Sequence, residues 1–256
     1  MYFLFNLYLF CKMRRVMTNL SNAKRILLKL SGETLLGEQP FGIHFPTTQQ
    51  LASALKNIKQ EGFELALVIG GGNLFRGLQL KDSKIPRSAA DQMGMLATLM
   101  NGIALQQALT SIGCTTKLIS ALECPKVAES YNWNRTNDYL AAGHIVLFVG
   151  GTGNPYFTTD SAAALRACEI QADVLLKATK VKGVYTQDPL KFPQAKKYMT
   201  LSYSQYLAEK LEVMDTTSIA LCMNNQLPIF VFSMEALGKE SLKQILSKTE
   251  NGTLIS

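Results

Sequence analysis

At 256 residues, with 47% hydrophobic and 18% charged side chains, the chain has the make-up of an ordinary globular protein and ample length for a core. Two histidines, His44 and His144, leave almost no room for a histidine-based zinc site or a Ser-His-Asp triad. Lys12, Arg14 and Arg15 supply three of the +7 net charges, and the modest remainder suits an anionic small molecule without requiring nucleic acid.

The opening "MYFLFNLYLFCKMRR" places its apolar run before its basic cluster, the reverse of a signal peptide's order. It is also too short to span a bilayer. Residues 1–16 are therefore expected to be a disordered extension or a misassigned start, and residues 17–256 a single domain. Strands are predicted at 25–30, 65–69, 116–120, 145–149, 173–177 and 228–232, each a short run bounded by Gly, Pro, Asn or Ser. Runs apolar on both faces predict a mainly parallel sheet covered on both sides, a three-layer α/β/α sandwich. Helices are predicted over 47–62, about 88–110, 160–171, 203–211, 215–224 and 239–248. Thr47 or Thr48 is expected to cap the first of these and Gly62 to end it. Gly94 and Gly102, inside the second, are expected to admit another helix or a subunit. His144 reads as a strand-entry residue. Five cysteines without a C-x-x-C pair point to a reducing, cytoplasmic setting.

Three polar turns follow three of the strands, at the strand ends where ligands of open parallel sheets bind. They are "KLSGE" at Lys29, "IGGGNLFRG" at 69–77, and "GGTGNPYFTTDSAA" at 150–163. The second has the glycine spacing of a phosphate loop, Gly72-x-x-x-x-Gly77, but Leu78 and Gln79 stand where Lys and Ser or Thr are needed. No dinucleotide fingerprint is present either, since position 75 is Phe. Backbone N–H groups at such turns can approach phosphate oxygens, and Lys29 and Arg76 can supply the missing cations from two different loops.

The stretches "KRILLKLSGE", "VIGGGNLFRG", "DQMGMLATLMNGIAL", "GTGNPYFTTDSAA" and "DVLLKATKVKGVYTQDP" together resemble the bacterial-type UMP kinases of the amino-acid kinase superfamily, in order from about residue 24 to the final "GTLIS". The resemblance implies transfer of the ATP γ-phosphoryl to UMP, with Mg2+ accompanying ATP. It assigns Lys29, Leu30, Ser31 and Gly32 to the ATP phosphates, and Gly72 and Arg76 to the transferring region. Thr179, Tyr185 and Asp188 fall in the adenosine segment. Gly71, Asp91 and the loop Thr152, Gly153, Asn154, Pro155, Tyr156, Phe157, Thr158 and Thr159 fall to UMP. Asp160 matches the carboxylate that orders the catalytic lysine and metal, and Asp215 a second acidic position. Direct metal ligands stay unassigned. A homohexamer and inhibition by UTP are also implied. In "GEQPFG" (37–42), Pro40 replaces a glycine of the loop associated with GTP activation, which counts against a GTP response.

Plainer readings stand beside these. Asp160 suits the first turn of a helix, "EVMDTTS" reads as an N-cap at Asp215, and Thr152 and Asn154 suit turn formers. Methionines 93, 95 and 100 read as core or subunit-packing residues. A sister kinase acting on a carboxylate or carbamate, and a nucleotide-sensing regulator without activity, are the competing functions. No basic patch interleaved with aromatics points to nucleic acid, and no membrane partner is expected.

Overall fold

The predicted apolar runs are strands in the computed structural model, which describes residue 20 and residues 22–75 and 85–256. In chain order the elements begin with β1 (Arg25–Leu30), α1 (Phe45–Gln60), β2 (Glu64–Ile69), α2 (Arg87–Ser111) and β3 (Thr116–Ser120). There follow β4 (Glu129–Ser130), α3 (Trp133–Ala141), β5 (Ile145–Val149), α4 (Thr159–Glu169) and β6 (Val174–Thr179). The last are β7 (Thr200–Leu201), α5 (Tyr203–Ala208), α6 (Thr216–Asn224), β8 (Ile229–Ser233), α7 (Leu242–Ser247) and β9 (Gly252–Ile255). All the strands join one sheet in the order β4-β3-β5-β2-β1-β6-β8-β9-β7. Pairing is parallel throughout except between β8 and β9.

Alternation along β1 shows why its run is apolar on both sides. Ile26, Leu28 and Leu30 face a layer containing Leu51 and Leu55 of α1, Leu105 and Leu109 of α2 and Ile245 of α7. Leu27 faces the opposite layer, with Ala163 and Ala167 of α4, Tyr206 of α5 and Ile219 of α6. Lys29 follows Leu27 by two residues and so turns to that second layer, as Lys177 does after Leu175. The three-layer sandwich is as expected, and among the described residues no helix is long and apolar enough to cross a membrane. The expected extension at 1–16 lies outside the described residues.

Several local expectations need correction. α1 starts at Phe45 with His44 as its N-cap and Pro46 in its first turn, so neither Thr47 nor Thr48 caps it. Thr48 is buried and its hydroxyl donates back to the His44 carbonyl. Gly62, at φ +96°, does end the helix. A Cβ on Gly102 would fall 2.3 Å from Val149 and 2.8 Å from Leu118. That glycine lets α2 lie directly on β5 and β3, rather than against another helix or subunit. Of the three α2 methionines, Met95 is buried, whereas Met93 and Met100 are exposed. α5 stops at Ala208, before Lys210 takes a left-handed conformation, and α7 is shorter than its predicted span. α3, β4, β7 and β9 are elements the sequence reading does not include.

Candidate functional site

Two buried lysines and one carboxylate occupy the centre of the site. Lys29 and Lys177 stand opposite each other in the β1–β6 register, near the carboxyl ends of adjacent parallel strands. Both point to the layer where α4 begins, and Asp160 in the first turn of α4 lies between them. Its Oδ1 is 2.8 Å from Lys29 Nζ, a charge contact rather than a directed hydrogen bond, and its Oδ2 accepts from Lys177 Nζ at 2.6 Å. Lys177 also donates to the carbonyl of Val213. Burial alone would raise the Asp160 carboxyl, but the charges of Lys29 and Lys177 bring it below the ordinary carboxylate range. Burial drives Lys177 down to about 8, the Asp160 charge pulling against that and the Lys29 charge adding to it. Two cations thus share the Asp160 carboxylate, with the Asp215 charge also acting on Lys177, in a largely buried place beside the cavity that Asp160 lines.

On one side of this centre lie the residues expected to meet ATP. Leu30 is buried at the end of β1, its carbonyl accepting from the N–H of Gly70. Ser31 caps a short 3-10 turn (Gly32–Leu35), its hydroxyl accepting from Glu33 N–H at 3.3 Å. Gly32 has no room for a side chain: a Cβ would sit 2.4 Å from Asn73 Oδ1 and 2.6 Å from the Gly70 carbonyl. The first two glycine turns are therefore packed against each other. Thr179 ends β6, its hydroxyl donating to the Val181 carbonyl. Tyr185 and Asp188 line a 390 Å³ cavity that shares Lys210, Leu211 and Glu212 with an 820 Å³ cavity containing Thr158, Asp160 and Asp215.

On the other side, Gly71, Gly72, Asp91, Phe157, Thr158 and Thr159 line a narrower 150 Å³ cleft. Its loop is strongly bent, with Gly150, Gly151, Gly153 and even Tyr156 at positive φ. Asp91 Oδ2 accepts the Tyr156 N–H at 2.7 Å and lies 3.6 Å from Arg87 Nε, whose guanidinium sits over the Tyr156 ring. Thr152 Oγ1 accepts the Asn154 N–H and donates to its carbonyl, so these side chains shape the turn, with Pro155 following it. Thr158 caps α4, accepting from the N–H groups of Asp160 and Ser161. The cavities on the two sides meet at Thr158.

Asp215 is brought to the same place as the N-cap of α6, accepting from Ser218 N–H at 2.8 Å. It also accepts the hydroxyls of Ser161 and Thr158, tying the starts of α4 and α6 together. Arg76 lies outside the described residues. Among the described residues no cluster of three or more His, Cys, Asp or Glu side chains could hold a metal. Asp160 is engaged by lysines and Asp215 by caps, so the donor set fits a divalent ion carried on phosphates rather than a protein cage. Lys177 is the functional candidate the sequence reading overlooks. The available signal is that "LLK" recurs near the ends of two strands, but only the strand order makes those lysines neighbours.

The comparisons with known proteins agree on one family. The model of the amino acid kinase family matches residues 24–233. The uridylate kinase of Protochlamydia amoebophila is 62% identical over 232 residues, 91% of this chain and 92% of that protein. That of Magnetococcus marinus is 50% identical over 237 residues, 93% and 98% of the two chains. Among solved structures, the UMP kinase from Ureaplasma parvum aligns with a TM-score of 0.85 at 35% identity, over 91% of this chain and 99% of that one. The UMP kinase from Bacillus anthracis gives 0.85 at 34%, over 91% and 96%. With a family match over most of its length and a paired-lysine site at the strand ends, the chain belongs to the amino acid kinase family.

Proposed function

We propose that this chain transfers the γ-phosphoryl group of ATP to UMP, giving ADP and UDP. The observation that carries the reading is the pair of buried lysines on Asp160, two residues from Thr158, where the cavities of the two sides meet. The relatives named uridylate kinase supply the acceptor's identity. In the proposed reaction a phosphate oxygen of UMP attacks the γ-phosphorus, and the bond from that phosphorus to the β–γ bridging oxygen breaks. The electron pair leaves with ADP. A phosphate monoester has a second pKa of about 6, so near neutral pH the acceptor is already a dianion and needs no general base. What remains is positioning and neutralisation of spread negative charge. Lys29 and Lys177 provide it, held apart and oriented by Asp160. Mg2+ bound to the nucleotide phosphates supplies further charge neutralisation.

In this reading Lys29 to Gly32, Thr179, Tyr185 and Asp188 serve ATP, and Gly71, Asp91 and Thr152 to Thr159 serve UMP; Gly72, expected with ATP, lines the acceptor-side cleft and faces the transferring group from there. Asp215 acts by fixing the starts of α4 and α6. The exposed Met93, Leu96 and Met100 of α2 support self-association, here proposed as a homohexamer. UTP, which shares the UMP half, is the proposed inhibitor, and GTP is expected to have little effect. A coupled ADP-release assay with Mg2+ across UMP, CMP, aspartate and glutamate tests the function. Turnover on UMP alone, or on UMP far above CMP, is expected. Preference for either amino acid would overturn the reading in favour of a carboxylate kinase.

A further inference from the structure

Helix α2 carries a polar stripe, half-buried at Asp91 and buried at Thr98 and Asn101, that ends on both glycine loops of the proposed acceptor side. Asp91, Thr98 and Asn101 are seven and three residues apart, on one helical face. Asp91 accepts the N–H of Tyr156 at 2.7 Å. Thr98 Oγ1 accepts the N–H of Gly150 at 2.8 Å while donating to the Met95 carbonyl. Asn101 Nδ2 donates to the Gly70 carbonyl at 2.7 Å. Asn101 is also joined to Asn73 by two reciprocal amide bonds of 2.6 and 2.9 Å. Asn73 in turn donates to the Gly42 carbonyl at 2.9 Å. Between these anchors, Gly71 packs so closely on the helix that a Cβ there would lie 2.8 Å from both Ala97 Cβ and the Gly94 carbonyl.

Thr98 and Asn101 are almost wholly enclosed, at 2% and 0% exposure, so water does not readily replace what they provide. Neither reaches the 390 Å³ cavity of Tyr185 and Asp188. We infer that Thr98 and Asn101 are positioning residues for the phosphoryl acceptor, fixing the 70–75 and 150–157 turns to one helix. They set the acceptor's place relative to the lysine pair, and neither lines the cavity of Tyr185 and Asp188. This inference rests on the acceptor assignment proposed above, and its test separates the two.

The full chain is compared with Thr98→Val, which keeps the shape and removes the acceptor oxygen, and with Asn101→Asp, which removes the donor to Gly70. Amide hydrogen exchange is measured first. Faster exchange confined to 70–75 and 150–157, with 179–188 unchanged, is expected. Unchanged exchange at both turns, or equal acceleration everywhere in a folded variant, overturns the proposal whatever the substrate is. Kinetics follow: in Thr98→Val, kcat/KM for UMP should fall about tenfold, the size of one buried hydrogen bond, with the ATP KM within about twofold. A rise confined to the ATP KM also overturns it. Local exchange without any UMP turnover by the wild-type chain would instead strike the functional reading and leave the positioning role standing. Should Asn101→Asp fail to fold, Thr98→Val decides alone.

Discussion

The two halves of the site are built by opposite means. On the proposed acceptor side, the 70–75 turn and a loop with four left-handed residues between 150 and 156 are each fastened by an enclosed hydrogen bond to a 25-residue helix. On the proposed ATP side, one enclosed bond from the Val184 N–H to the Thr253 hydroxyl anchors the segment after β6, and the residues around Tyr185 and Asp188 rely on short-range bonds, such as Asp188 to the Leu190 N–H, and on ion pairs such as Lys180 with Glu33. Bonds of the first kind are costly to lose and those of the second contribute little. Discrimination is therefore expected at the acceptor, and tolerance at the nucleotide donor. Asp160 belongs to both halves, since it touches one cation from each of two strands.

The strongest way to break this comparison is to remove the shared group. Asp160→Asn leaves two buried ammonium groups facing each other, and stability should fall by about 3–5 kcal/mol, as when a buried pair loses one partner. Urea unfolding would measure it, and a loss under 1 kcal/mol would mean that the site is wetter than its burial suggests. Lys29→Ala should lower kcat on the order of 10²–10³ while hardly moving the UMP KM, because a lone electrostatic stabiliser acts on charge that develops during transfer. A change confined to the UMP KM would instead move Lys29 to the acceptor half.

A pH profile gives the next largest effect. Lys177, lowered from 10.5 to about 8, loses its charge as the medium passes about 8, so kcat/KM for ATP should decline through that point. The same group affects stability in the opposite sense. Between about 8 and 10.5 the unfolded chain holds a proton that the folded chain has released, so this group's contribution to stability rises with pH. Lys177→Met should abolish both trends, and an unchanged alkaline limb in that variant would remove Lys177 from the chemistry. The smallest effect should come from Asp91→Asn. The amide oxygen can still accept the Tyr156 N–H, so the loop persists and only the charge is lost. The UMP KM should rise by less than about tenfold, with the ATP KM unmoved. Equal rises in both would dissolve the division between the halves.

The sheet was readable because its central strands are buried on both faces, which leaves uninterrupted apolar runs such as "IVLFV". α3 escaped because only Thr136 and Leu140 of its nine residues are buried, too few to show a period. β9 is only four residues long and lies between β8 and β7, antiparallel to β8, a placement its short run does not announce. Lys29 and Asp160 were legible because each lies next to a polar, glycine-bearing turn, Ser31-Gly32 after Lys29 and the 150–158 loop before Asp160. Lys177 was not: it lies inside β6, and 148 positions separate it from the strand-mate that gives it meaning. Thr98 and Asn101 look like ordinary helix residues until the carbonyl and N–H they reach are known.

Because Lys29 and Lys177 occupy matching rungs of neighbouring strands, the gap between their backbones is inherited from the sheet itself, about 4.8 Å in any protein. No insertion, deletion or exchange in the surrounding loops can stretch it without tearing the strand ladder. The charge pair thus behaves as a fixed chassis, and the 150–159 turn is a separate part bolted to α2 rather than to the strands that carry the lysines, so the two can be altered independently.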